Sequence, residues 1–163
     1  PALQAWNEFL QARLAEEQGQ FGSAIEQYTQ VWRVMPQWRE VRYRGMVCKV
    51  KMGFAEPVLD QIVKLVREDP TYFNRVLIDP ALERGRLLIL SALYELWEEA
   101  LKKAEAERVC INELRARLEA WFPADHPVQL QMGERLGNLE ALSNVSNYMA
   151  FLKVVADRPT LES

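Results

Sequence analysis

His126 is the only histidine of the 163-residue chain, and no partner for it is legible nearby. General acid–base catalysis needs a second group within hydrogen-bond reach. Standing in the turn Phe122-Pro123-Ala124-Asp125-His126-Pro127, the imidazole is expected to act as a polar cap at a helix terminus. Cys48 and Cys110 lie inside helical patterns, at no metal-ligand spacing. As free buried thiols they fit a reducing compartment and a cytoplasmic location. The adjacent pairs Glu16-Glu17 and Glu98-Glu99 diverge on a helix and share no site. No phosphate-cradling glycine loop, paired-histidine motif or nucleophile-with-base arrangement is present. The side chains that could do chemistry do not converge. The expectation is a protein with no catalytic activity, cofactor or metal.

What must position these side chains is helical throughout. Hydrophobic residues make up 49% of the chain and charged ones 26%, enough to build a core and too apolar for disorder. A net charge of −3 gives no basic surplus for nucleic acid. The longest apolar run, Leu87 to Leu90, is far too short to span a bilayer. Trp6, Asn7 and Glu8 interrupt any leader-like stretch. The chain opens on Pro1 rather than Met, which fits a piece of a larger protein.

In the first half, Leu3, Trp6, Leu10 and Leu14 recur at helical spacing, the mark of an amphipathic helix. Gly19 and Gly22 mark a break. A second helix follows with Ala24, Ile25, Tyr28, Val31 and Trp32 and stops before Pro36. The plan then repeats: Val41, Met46, Val47 and Val50, a break at Gly53, then Val58, Ile62, Leu65 and Val66 before Pro70. Proline returns on proline at a period of about 34 residues, as in helix–turn–helix units that must stack to bury their apolar faces.

Ala24, Tyr28 and Pro36, answered more loosely by Val58, Ile62 and Pro70, make residues 5–70 resemble two tetratricopeptide repeats. Glu8 and Arg42 stand where that family prefers tryptophan. The resemblance implies a concave groove lined by Trp6, Phe9, Arg13, Glu16 and Glu17 of the first repeat and by Glu40, Tyr43, Val47, Val50 and Lys51 of the second. It implies further that the groove takes a peptide or helix of another protein, with Trp6, Phe9 and Tyr43 as aromatic anchors. Phe9 and Arg13 occupy positions where some members carry a carboxylate clamp, which argues against a chaperone-tail receptor.

Arg33, Arg39, Arg42, Arg44, Lys49 and Lys51 face one acid, Glu40, over residues 33–51. This basic patch could steer an acidic partner, or it could be a solvated face that pairs with neighbouring helices.

In the second half, Asp79-Pro80 reads as an N-cap and first helical residue. From there a helix can run to Trp121, roughly 60 Å at 1.5 Å per residue. Its seam is Leu90, Leu93, Trp97, Ala100, Ala104, Ile111, Leu114, Leu118 and Trp121, with Glu107 the one misfit. After the turn, Val128, Met132, Leu136, Leu139, Leu142, Val145, Met149, Leu152 and Ala156 form a returning seam. Gly133 and Gly137 would let the two backbones approach closely or would break the return.

The expected architecture is all-α: stacked hairpins over residues 1–70, then a capping segment and a long antiparallel, coiled-coil-like hairpin over 71–163. The expected function is a non-catalytic interaction or scaffold module. The alternative is a regulatory or oligomerisation domain of a larger protein, pairing as a homodimer through Trp97 and Leu101 on the long helix.

Overall fold

The computed structural model describes residues 2–161, and its fold is all-α. The α-helices are α1 (Ala2–Glu17), α2 (Phe21–Val34), α3 (Arg39–Lys51), α4 (Leu59–Glu68), α5 (Tyr72–Ile78), α6 (Arg86–Trp121), α7 (Pro127–Ser143) and α8 (Tyr148–Asp157). Short 3₁₀ turns precede α4, join α5 to α6 and follow α8. The chain divides into two compact units, one ending at Leu93 and one beginning at Tyr94.

In the first unit, α1 and α3 end in the same way. Gly19 and Gly53 take φ of +74° and +95°, left-handed values that glycine adopts without a Cβ penalty. The amides that follow reach back: Gln20 donates to the Ala15 carbonyl at 2.9 Å and Phe54 to that of Lys49 at 2.9 Å. With Gly19 to Glu16 at 3.0 Å and Gly53 to Val50 at 2.8 Å, both ends are complete Schellman caps. The helices α2 and α4 stop instead at Met35 and at the extended residue Asp69, each held out of helical geometry by the proline after it.

The buried face of α1 is not its leucine side. Ala5, Phe9, Ala12 and Ala15 pack into one core with Ala24, Tyr28 and Val31 of α2 and with Val41 and Cys48 of α3. Small side chains let α1 approach α2 closely, so the alanine stripe wins the interface while Leu3, Leu10 and Leu14 stay exposed.

The boundary expected near residue 70 falls later. The helix α5, the 3₁₀ turn Pro80–Gly85 and the first turns of α6 belong to the first unit, because they close over α3. Tyr72 packs edge-tilted on Tyr43 at 5.4 Å between ring centroids. Gly85 lies so close to the preceding chain that an added Cβ would sit 2.6 Å from Ala55 Cβ and 3.1 Å from Val50 Cγ1. The helix expected to run unbroken from Pro80 therefore starts as a tight turn and becomes α-helical only at Arg86. Asp79 does cap it, accepting from the Ala81 amide at 2.9 Å.

The second unit is the long arm of α6 and its return. Arg115 meets Glu140 at 2.6 Å and Arg158 pairs with Glu107, so later residues of the return meet earlier ones of α6 and the two run antiparallel. The misfit Glu107 of the seam is thus neutralised by an arginine from the far end of the return. His126 caps α7 by accepting from the Val128 amide at 3.2 Å. The return is broken, over residues 144–147 rather than at the glycines. Ser143, Asn144, Ser146 and Asn147 are short polar side chains that compete for backbone groups, and Asn147 starts α8 anew by accepting from Ala150 at 2.7 Å. The break shifts the seam: Tyr148, Phe151 and Val154 are buried, while Val145, Met149 and Ala156 face solvent. At Gly133 and Gly137 an added Cβ would meet nothing within 4 Å, so no close backbone approach depends on them.

Candidate functional site

The concave groove expected from the repeat resemblance is filled. Tyr43 and Val47 are fully buried and Phe9 nearly so, which removes them as surface anchors. Phe9 is packed among Trp6, Tyr28 and Trp38. Tyr43 lies under α5, its hydroxyl donating to Asp79 at 2.5 Å and its ring covered by the Arg75 guanidinium at 4.4 Å. Arg75 is in turn held by Glu40 through contacts of 2.5 and 2.8 Å. Burial, then the bond to Asp79, pushes the Tyr43 phenol well above its ordinary pKa.

The charged positions of that face close on Glu16, the one buried acid among the described residues, 3% exposed. Arg13 reaches it at 2.9 Å, Lys51 at 3.4 Å and Arg44 at 3.6 Å, while the Tyr28 hydroxyl donates to it at 2.8 Å. Arg13 also reaches Glu17 at 2.9 Å. Three cations around one carboxylate offset its desolvation. Burial first, then the Glu16 bond, raises the Tyr28 pKa, and burial pushes the nearby Cys48 thiol up to about 12. That thiol is protonated at neutral pH and a poor nucleophile. Both cysteines are free.

Most of the basic patch is likewise spent internally. Arg39 faces Asp69 at 3.7 Å, Arg42 pairs with Glu68 at 2.9 Å, and Arg44 divides itself between Glu16 and Glu40. Of the six patch residues, Arg33 and Lys49 have no ion-pair partner among the described residues. In the second unit, Trp97 is half-buried against Tyr94 and Phe151, and Leu101 is half-buried beside a small recess shared with Ser143 and Phe151. The chain's own return thus covers part of the expected self-association seam.

Two of the open surfaces of the first unit stand out. On α1, Leu3 is 83% exposed, Trp6 50%, Leu10 49% and Leu14 60%. They form one continuous stripe opposite the alanine face, and the ring of Trp6 is stacked on Trp38 at 5.3 Å. The second surface is a groove of about 400 Å³ between α2 and α4, floored by α3 on the side turned away from Tyr43 and Val47. Among the described residues no cluster of His, Cys, Asp and Glu could hold a metal ion, and no helix is long and apolar enough to cross a membrane.

The stripe was legible in the sequence as spacing but not as surface, since spacing alone does not say which of two apolar faces is covered. The groove was not legible at all; its one signal was a glycine, Gly45, in the middle of a helix. Comparison with known proteins returns no matching family model, no similar curated protein and no similar solved structure.

Proposed function

We propose that the chain is a non-catalytic, tetratricopeptide-like interaction module that binds a helix of a partner protein along α1. The single observation that supports this reading is the stripe of Leu3, Trp6, Leu10 and Leu14. Contiguous apolar surface of this kind is uncommon on monomers and marks interaction sites. Spacing of three to four residues along sixteen helical residues suits a second helix laid alongside. The paired helices, the period of the prolines and the twin glycine caps support the repeat resemblance.

The test compares the wild type with Leu10→Glu and Lys103→Ala, the latter a change on the exposed face of α6. Immobilised wild type and Lys103→Ala retain the same proteins from an extract of the source cells, and Leu10→Glu loses them without loss of helicity. Equal retention by all three would end this reading. A second reading, self-association, is favoured by the same stripe because it is self-complementary. It predicts a solution mass of twice 18.9 kDa by light scattering, reduced to the monomer by Leu10→Glu.

A further inference from the structure

The groove between α2 and α4 has two unlike walls. On the α2 side Ile25 and Trp32 are apolar, and Trp32 is 40% exposed with its indole N–H fixed on the Pro36 carbonyl at 3.2 Å. On the other side stand Lys49 of α3 and Lys64 of α4, neither with an ion-pair partner among the described residues. Arg42 also lines the groove, but it is paired with Glu68 at 2.9 Å and its Nε and Nη2 are buried, so the open positive charge is that of the two lysines. Among the described residues no acid lines the groove.

The floor is Gly45, and the fold does not require glycine there. It lies inside α3, where glycine is the poorest helix former after proline. Its backbone is not left-handed. An added Cβ would meet only Tyr28 Cβ at 3.8 Å, an ordinary contact. What the missing side chain does keep is the open depth of the groove.

We propose that this groove binds an acidic amphipathic peptide segment of a partner protein, its apolar side chain seated over Gly45 against Trp32 and its carboxylates toward Lys49 and Lys64. A volume of about 400 Å³ lies at the low end of ligand cavities, enough for one large side chain and its flanking backbone. Charge complementarity selects the acidic partner. The site is separate from the α1 stripe, and it rests on the module reading only in taking a peptide as its ligand.

The experiment is fluorescence anisotropy with a labelled peptide of alternating Leu, Phe, Asp and Glu, and with two versions whose acids are replaced by amides or by lysines. The acidic peptide binds and weakens with added salt. The amide version binds about tenfold more weakly, the scale of two or three surface ion pairs, and the lysine version less still. Gly45→Leu fills the floor and abolishes binding, while Gly45→Ala raises the melting temperature and weakens binding. Lys49→Glu with Lys64→Glu, both at the rim, reverses the charge preference without a change in helicity. Indifference to peptide charge, or unchanged binding by Gly45→Leu and the lysine double variant, would overturn the proposal. The Leu10→Glu variant keeps full peptide affinity here, so failure at the groove and failure at the α1 stripe are read separately.

Discussion

Replacing Glu16 by glutamine keeps its shape and removes its charge. Arg13, Lys51 and Arg44 then converge on a neutral amide, with side chains 29%, 30% and 18% exposed. Breaking one side of a fully buried ion pair costs about 3–5 kcal/mol. Water reaches these cations and relieves part of their repulsion, so the expected loss is about 2–3 kcal/mol. For a chain of this length that corresponds to about 5–10 °C in melting temperature. The control is Glu17→Gln, an exposed acid one residue away, expected to change stability by less than about 0.5 kcal/mol. Urea unfolding at pH 7, followed by far-UV circular dichroism, gives both values, and an unchanged slope shows that the same surface is exposed on unfolding. Tyr28→Phe alone removes one bond to a charged acceptor, about 1.5 kcal/mol, and combined with Glu16→Gln it costs less than the sum. If Glu16→Gln behaves like Glu17→Gln, the cations gain nothing from Glu16, and the account of why this face is closed is wrong.

Gly85→Ala places a methyl group 2.6 Å from Ala55 Cβ and is expected to cost about 1–3 kcal/mol by overpacking; Ala55→Gly in the same chain recovers part of it in a urea double-mutant cycle. Stability falls in alkali. Tyr28 and Tyr43 have raised pKa values in the fold, so they contribute fully below the unfolded value near 10 and lose that contribution as pH rises above it. Cys48, raised to about 12, and Tyr72, also raised by burial, lose their contributions over the same range. Tyr28 and Tyr43 each add a slope of about 1.4 kcal/mol per pH unit there; urea melts from pH 8 to 11 measure the total, and Tyr43→Phe lowers it by about that amount. An unchanged slope in that variant would mean its phenol is not the group that titrates.

The punctuation of this fold was local and therefore readable. Gly19, Gly53, Pro36, Pro70 and Asp79-Pro80 act through their own backbone geometry, and each stands at the helix boundary that its chemistry dictates. Periodicity likewise showed the helices, except across residues 144–147, where the spacing continues through a break. Periodicity could not say which side of a helix is covered, because that depends on what lies across from it. On α1 the alanine face and the leucine face are both apolar, and close packing on α2 chose the alanines. On α3, Tyr43 and Val47 went to the core because α5 and the turn after it return over them. The arginines that looked like a patch found acids on α1, α4 and their own helix. In the returning arm, the polar run after Ser143 mattered more than the two glycines, and it turned the seam onto Tyr148, Phe151 and Val154. The sequence by itself determined the helices and their ends, since those are properties of a few adjacent residues. Only the tertiary structure decided which apolar stripe and which lysines remain open to a partner, since exposure belongs to the neighbours a residue acquires and not to the residue.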